Sequence, residues 1–192
     1  MLGPHPTLPS RGREILKGPA CLLFVLLLLA GCTLQPDVSQ AAPNGRVGTK
    51  AAALSGQTLA GDTLSVDFRQ SKTVLVFWAA WCGPCRQEQP GLNTLAVKYQ
   101  SQGVRFVGVD LLDHDRALAR AFVAEFKVAY PSLYDDSGSL AAAYQIDSPP
   151  SFVFVDQRGV VVDRYPGETS QAHLENLVQK LATSSVAASA SP

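Results

Sequence analysis

An unbroken apolar run from Thr73 to Ala79, TVLVFWA, leads within three residues into a helical pattern that begins at Gly83. A continuous apolar run of this kind is typical of a strand that is buried on both faces. The helical pattern continues to about Gln100, and its apolar face is formed by Leu92, Leu95, Ala96 and Tyr99. A buried strand that runs straight into an amphipathic helix restricts the chain to folds in which helices cover a sheet.

Further strand and helix patterns alternate along residues 47–182. Short apolar flanks around Gly61-Asp62 predict a hairpin, and the last two strands predict a second hairpin. The predicted elements are a strand over Val104–Val109, a helix over Asp115–Lys127 with Leu118, Phe122 and Phe126 at helical spacing, a short helix over Ser137–Tyr144, strands from Ser151 and from Gly159 joined at Gln157-Arg158-Gly159, and a helix over Gln171–Leu181. We therefore predict an α/β fold with a mixed central sheet flanked by helices on both faces.

The N-terminus has the pattern of an export signal. Arg11, Arg13 and Lys17 precede the apolar run Ala20–Ala30. As a helix this run would rise about 16 Å, against about 30 Å for the hydrocarbon core of a bilayer. The following LAGC sequence resembles a bacterial lipobox, so residues 1–31 are predicted to be removed and Cys32 to be lipidated. Ordinary cleavage nearby and an uncleaved anchor are the alternatives.

This interpretation divides the chain into four parts. After the signal peptide, residues 32–46 carry the lipidated cysteine and a polar, proline-containing tether. The folded domain spans residues 47–182, and the small polar residues 183–192 are predicted to be a disordered tail. The sequence has 16 basic and 16 acidic side chains, so no basic excess supports nucleic-acid binding. We predict an extracytoplasmic protein that is attached to a membrane through lipid and is a monomer.

Two of the four cysteines remain in the predicted domain. Cys82 and Cys85 close a loop too small to stabilise a fold by restricting the unfolded chain, which disfavours a structural disulfide. Half of a zinc site is a second possibility, but four ligands are normal and the domain adds only the isolated His114 and His173. A redox pair is the interpretation that we favour, with no metal.

The position of the two cysteines suits disulfide exchange. Only a thiolate attacks a disulfide, and a free thiol ionises near pH 8.5. Cys82 lies at a helix entrance, where unpaired N–H groups and the positive end of the dipole favour an anion. Pro84 suits the first turn, where its missing N–H is not needed. We predict that Cys82 is an accessible nucleophile and that Cys85, three residues later, resolves the mixed disulfide.

Trp81-Cys82-Gly83-Pro84-Cys85, at the start of a helix after a buried strand, resembles the active site of the thioredoxin superfamily. Together with YPSLYDDSGSLAAAYQIDSPPSFVFVDQRGVVVDRYPG, it resembles the membrane-tethered TlpA/ResA-like thiol-disulfide oxidoreductases. The resemblance implies a thioredoxin-like fold with an N-terminal β-hairpin extension and a helical insertion. It also implies a protein-disulfide reductase without a cofactor other than the Cys82–Cys85 disulfide. Its partners would be protein thiols such as those of apocytochrome c and a membrane electron donor of the CcdA/DsbD type.

The resemblance also implies roles for residues around the cysteines. Glu88 matches a glutamate that tunes the thiols in this family, and Trp81 would shape the docking surface for substrate. Pro150 matches the cis-proline that faces the two cysteines. The residue before that proline can pair with substrate backbone, but here it is Pro149, which has no N–H to donate. We therefore expect looser pairing with peptides.

The strand before the cysteines departs from cytosolic thioredoxins, which carry a buried aspartate where this chain has Val76. Proton transfer to and from Cys85 then requires another group, and Glu88 is the nearest candidate. Two other functions stay open. A thiol peroxidase of the peroxiredoxin-related group would carry a threonine at the position of Ala79. A non-enzymatic lipoprotein could use the same fold as a binding module.

Overall fold

A computed structural model describes residues 45–184. The predicted signal peptide, Cys32, nearly all of the tether and residues 185–192 of the tail lie outside this range, so the predictions made for them stay untested. The elements within it are β1 (Ser55–Gln57), β2 (Thr63–Ser65), β3 (Lys72–Trp78), α1 (Gly83–Gln100), β4 (Val104–Leu111), α2 (Arg116–Phe126), β5 (Ser132–Asp135), α3 (Ser139–Ala143), β6 (Ser151–Val155), β7 (Val161–Pro166) and α4 (Gln171–Thr183).

A five-stranded mixed sheet in the order β5-β4-β3-β6-β7 forms the centre of this part of the chain. Strands β3, β4 and β5 are parallel, whereas β6 and β7 are antiparallel to their neighbours. Strands β1 and β2 pair separately as an antiparallel hairpin. The predicted mixed sheet and N-terminal hairpin are therefore confirmed.

Alternate side chains of the sheet bury two apolar clusters, one on each face. Val74, Val76 and Trp78 of β3 pack with α1, α2 and α4, and Cys82 and Cys85 belong to this cluster. Leu75 and Phe77 point to the opposite cluster, which is covered by α3 and the N-terminal segment. Since both faces are covered by helices, β3 has to be apolar at nearly every position, as its sequence predicts.

Several element boundaries follow the predicted ones because capping residues define them. Asp115 is the N-cap of α2 and its carboxylate accepts the N–H of Ala117 at 2.8 Å. Lys127 ends the same helix with a left-handed backbone, φ 49°. The short helix α3 starts two residues later than predicted, and α4 continues to Thr183, where the tail was predicted to begin.

The segment between β4 and β6 contains a strand that was not predicted, since β5 adds a third parallel strand between the two predicted helices. The helical spacing predicted for Leu118, Phe122 and Phe126 is present in α2, but Leu118 is 58% exposed. Ala119 and Phe122 form the buried part of α2 instead, because the helix turns Leu118 away from the sheet.

Three strands have one of their ends at the same edge of the sheet. Strands β3 and β4 end side by side, with Trp78 paired to Asp110. Strand β6 begins there, since Ser151 pairs with Phe77. The loops that follow β3 and β4 and the loop that precedes β6 are therefore neighbours. Among residues 45–184, no helix is long and apolar enough to cross a membrane.

Candidate active site

Cys82 and Cys85 are joined by a disulfide at the mouth of α1, with a Cα–Cα separation of 5.3 Å. Cys82 is the N-cap residue, and its Sγ accepts the backbone N–H of Cys85 at 3.1 Å. Its own N–H is bonded to the carbonyl of Ala79 at 3.1 Å. The predicted pairing and the predicted position at a helix entrance are thus present together.

The first turn of α1 favours negative charge on Cys82 once the disulfide is reduced. Pro84 occupies the first turn, and no acidic residue lies there to oppose the positive end of the helix. The N–H of Cys85 already points at Sγ of its partner, so a thiolate would keep that hydrogen bond. These groups stabilise the anionic form of Cys82, and the thiolate is the form that attacks disulfides.

The accessibility expected for Cys82 is not observed in the disulfide form. The residue is only 4% exposed, and Cys85 is 2% exposed. Both pack into the cluster beneath α1, a tertiary contact that the motif alone does not reveal. Trp81, immediately before the pair, is 62% exposed, so it lies at the surface beside the buried disulfide.

Glu88 lies one turn after Cys85 and is held by the segment that precedes α4. Its Oε1 accepts the N–H of Thr169 at 2.6 Å, while its Oε2 is buried without a hydrogen-bond partner among residues 45–184. Burial raises the pKa of this carboxyl, the Thr169 N–H lowers it, and the nearby Glu168 raises it further. Glu88 also lines a cavity of about 220 Å³ between α1 and α4, and neither cysteine is among the lining residues.

The Pro149–Pro150 peptide bond is cis, which confirms the conformation predicted for Pro150. Pro150 directly precedes β6, at the edge of the sheet where β3 ends and the two cysteines follow. Its carbonyl accepts the N–H of Gly167 at 2.8 Å. Pro149 has no N–H, so it can offer only its carbonyl to an extended peptide.

Two carboxyl groups near the site were not identified from the sequence. Asp113, in the loop after β4, is 3% exposed and its Oδ2 accepts the N–H of Ala80 at 2.6 Å. Asp110, on β4, is 0% exposed and neither of its oxygens has a hydrogen-bond partner in the described range. The one available signal was an aspartate that interrupts the apolar run of a buried strand.

A cation also lies beside the pair. The guanidinium of Arg86, next to Cys85, is held by Glu125 at 2.6 and 2.7 Å and stacks on the ring of Phe126 at 4.8 Å. These contacts tie the first turn of α1 to α2. His114 and His173 are exposed. Within residues 45–184, no cluster of three or more His, Cys, Asp or Glu residues is placed to hold a metal.

A mixed sheet, a Cys-Gly-Pro-Cys disulfide at the mouth of a helix and a cis-proline at the same edge define a thioredoxin-like thiol-disulfide oxidoreductase. The comparisons with known proteins agree with this class. The chain belongs to the Redoxin family, whose model matches residues 37–181.

Curated relatives are named for the same chemistry. The chain is 28% identical over 163 residues to the thiol-disulfide oxidoreductase ResA of Bacillus cereus, covering 83% of this chain and 94% of that protein. It is 34% identical over 149 residues to the thiol:disulfide interchange protein DsbE of Pseudomonas fluorescens, covering 76% and 79%. A secreted disulfide oxidoreductase of Mycobacterium tuberculosis, homologous to DsbE, superimposes with a TM-score of 0.61 at 27% identity and covers 67% of this chain and 96% of that one.

Proposed function

We propose that this protein is a lipid-anchored, extracytoplasmic reductase of protein disulfides. The observation that carries the proposal is the Cys82–Cys85 pair at the mouth of α1, with the N–H of Cys85 directed at the sulfur of Cys82. Glycine and proline between the cysteines are what reductive thioredoxin carries, as the resemblance of the motif implies. No cofactor other than this disulfide is required.

In the proposed reaction the thiolate of Cys82 attacks one sulfur of a substrate disulfide. A mixed disulfide forms, and the other substrate sulfur leaves as a thiolate that takes up a proton. Cys85 then loses its proton and attacks Sγ of Cys82, which releases the second substrate thiol and restores the Cys82–Cys85 bond. Two electrons pass to the substrate, and a dithiol donor must return them.

Glu88 is the proposed acceptor of the proton that Cys85 releases. Val76 supplies no carboxylate from β3, and Glu88 is one turn from Cys85 on the same helix. Its pKa is raised by burial, which brings a carboxyl closer to the pH at which it can both accept and return a proton. Because Glu88 is held at Thr169, a water or a side-chain movement has to complete the path to the sulfur.

Substrate is proposed to dock over the exposed ring of Trp81 and along Pro149 and Pro150. Aromatic rings that are exposed beside a reactive group are favoured anchors in protein recognition. The Pro149 carbonyl can accept one hydrogen bond from an extended substrate segment, although the residue donates none. Apocytochrome c thiols are the proposed physiological target, and a membrane protein of the CcdA/DsbD type is the proposed donor.

Insulin-disulfide reduction by the purified full-length protein in detergent tests the activity. We expect wild type to reduce insulin, Cys82→Ser to lose the activity, and Cys85→Ser to accumulate a mixed disulfide on Cys82. Cys32→Ser is the matched control, because it removes the predicted lipid site without touching the redox pair. Hydrogen peroxide consumption in place of insulin reduction would instead indicate the peroxidase, which Ala79, fully buried and without a hydroxyl, disfavours.

The attachment and the biological role need separate tests. Metabolic labelling with palmitate should label wild type and not Cys32→Ser. After cell fractionation, the variant should be found outside the membrane fraction. A Cys82→Ser, Cys85→Ser double variant that keeps full function in cells would favour the non-enzymatic binding lipoprotein. Trapping with Cys85→Ser in cells identifies the substrates that are held on Cys82.

A further inference from the structure

A buried carboxyl pair lies behind the redox site, on the same face of the sheet as the two cysteines. Asp110 pairs across the sheet with Trp78, and facing residues of neighbouring strands point to the same side. Trp78 belongs to the apolar cluster that contains Cys82 and Cys85. Asp113 follows in the loop after β4, beside the loop that leads from β3 to the cysteines.

Asp113 holds the segment that precedes the redox pair. Its Oδ2 accepts the N–H of Ala80 at 2.6 Å, a short distance that is typical of a hydrogen bond to a charged carboxylate. Ala80 is two residues before Cys82, and Trp81 lies between them. The backbone carbonyl of Asp113 in turn accepts the hydroxyl of Tyr134 at 2.7 Å, which fixes the loop against β5.

Asp110 is the unusual member of the pair, because it is fully buried and receives no hydrogen bond from a donor in the described range. The side chain of Asp113 is within hydrogen-bond reach of it, but two ionised carboxylates cannot bond to each other. Two neighbouring polar atoms are also buried without a partner in the described range, Nε1 of Trp78 and Oγ of Ser132. Both lie over Gly108, which is the residue next to Asp110 on the same face of β4. An ionised carboxylate would be costly in these surroundings, whereas a protonated one has an O–H that it can donate.

We propose that Asp110 and Asp113 share one proton and act as a positioning pair for the redox site, in which the Asp110 O–H donates to the Asp113 carboxylate and that carboxylate holds the N–H of Ala80. The pair then carries one negative charge instead of two. This limits the repulsion that a thiolate on Cys82 experiences and keeps the Ala79–Trp81 segment in place.

The charges around Asp110 agree with a shared proton. Burial raises the pKa of Asp110 to about 9, and the neighbouring Asp113 and Asp135 raise it as well. From β5, Tyr134 also faces the pair, and Arg116 of α2 lies over its ring at 4.3 Å. Within residues 45–184, no lysine or arginine side chain lowers the pKa of Asp110, so protonation is the way in which its charge is removed.

Infrared spectroscopy of the oxidised full-length protein tests the shared proton without requiring turnover. We expect the C=O stretch of a protonated carboxylic acid at pH 7, lost in Asp110→Asn and titrating with a midpoint of about 9. Glu88→Gln is the matched control, since Glu88 also has a raised pKa and its variant should keep the band. A band that is absent from wild type at pH 7, or that persists in Asp110→Asn, would overturn the proposal.

The positioning role rests on the proposed function and needs a second readout, the pH dependence of Cys82 alkylation in the reduced protein. In Asp110→Leu the Asp113 carboxylate loses its donor, and we expect the alkylation curve to move to higher pH by at least about half a unit. Asp110→Asn keeps an N–H donor and should restore the curve. An unchanged curve in Asp110→Leu overturns the positioning role. A wild type that forms the band but reduces no insulin overturns the proposed function and leaves the proton sharing intact.

Discussion

At the scale of single residues, the surroundings of Glu88 disfavour its ionised form, whereas those of Cys82 favour its ionised form. Glu88 is half-buried, and this burial raises its pKa, as does the neighbouring Glu168. Cys82 has the reverse environment, because the start of α1 favours its anion. The raised pKa of Glu88 makes this carboxyl a better acceptor for the proton that Cys85 is proposed to release when it attacks Cys82.

Glu88→Gln is therefore expected to raise stability and lower activity. Glutamine keeps an oxygen for the N–H of Thr169 and removes the cost of a partly buried charge. Since the pKa of Glu88 is raised in the folded state, the advantage of the variant should be present at neutral pH and disappear below the ordinary pKa of 4.5, where glutamate is protonated in both states. Thermal unfolding at pH 4 and pH 7 measures the first effect.

The second effect is measured as the rate of disulfide exchange against pH. Without a proton acceptor at position 88, we expect slower resolution by Cys85 and a shifted pH profile for the thiols. Unaltered pH profiles in Glu88→Gln would remove Glu88 from the mechanism. A stability gain combined with an unaltered profile would leave it only a structural contact to Thr169.

At the scale of elements, the site depends on how loops follow the strands of one sheet edge. The entry to β6 supplies the cis Pro149–Pro150 bond next to the end of β3. Pro149→Thr restores a backbone donor at the position where substrate is proposed to pair. We expect KM for a protein disulfide to fall by up to about fivefold, the value of one hydrogen bond of roughly 1 kcal/mol.

A small aromatic disulfide is the matched control substrate, because it offers no extended backbone to pair with. Its KM should be the same for wild type and for Pro149→Thr. An unchanged KM for protein substrates would contradict the docking role, and a change of equal size for both substrates would point to a disturbed redox site instead.

In the centre of the sheet, the side chains of Ser132 and Trp78 pack directly against Gly108, and the added methyl group of an alanine tests this contact. A Cβ at Gly108 would overlap Oγ of Ser132 and lie 2.8 Å from Nε1 of Trp78, so these two buried side chains would have to move. We expect Gly108→Ala to lower the free energy of unfolding by about 1–3 kcal/mol in chemical denaturation. Gly56→Ala is the matched control in a strand, since its Cβ would meet only Leu133 at 3.7 Å. Equal stability of both variants would contradict the packing described for this sheet.

The pattern of apolar and polar residues predicted the strands and helices whose burial repeats regularly along the chain. It failed for residues that are buried only because of partners far away in the sequence. The strand Lys72–Trp78 is apolar throughout and the helix Gly83–Gln100 is opened by its motif, so both were predicted correctly. Strand β5 begins with Ser132 and ends with Asp135, polar residues that are buried because the fold supplies their surroundings. The Asp135 carboxylate, for example, accepts the N–H groups of Leu140 and Ala141 in α3.

The features of the candidate site fall into the same two groups, those that the sequence predicts and those that depend on tertiary packing. The cysteine pair, its position at a helix entrance and the cis-proline could be predicted, because a short motif and a resemblance specify them. The burial of Cys82 and the contact between Asp113 and Ala80 could not, since 33 residues separate the two partners of that hydrogen bond. Only tertiary packing brings the ends of β3 and β4 together.

At the scale of the whole molecule, the buried carboxyl groups predict how stability varies with pH. The pKa of Asp110 is raised from 3.8 to about 9 by burial. Between these values the folded state holds a proton that the unfolded chain releases, so the free energy of unfolding falls as pH rises. The raised pKa of Glu88 also makes the free energy of unfolding fall as pH rises, over a range just above the ordinary pKa of 4.5.

Asp110→Asn removes this titration, since the amide is neutral in both states. Measured by thermal unfolding, the stability of the variant minus that of wild type should grow from about pH 4 to about pH 9 and stay constant at higher pH, where Asp110 is ionised in both states. Glu88→Gln is the control that separates the two carboxyls, because its difference from wild type should stop growing at lower pH. A difference that is constant from pH 4 to pH 9 would mean that Asp110 ionises at its ordinary pKa inside the fold. The pair behind Ala80 would then carry two negative charges, and the first turn of α1 would have to stabilise the Cys82 thiolate against both of them.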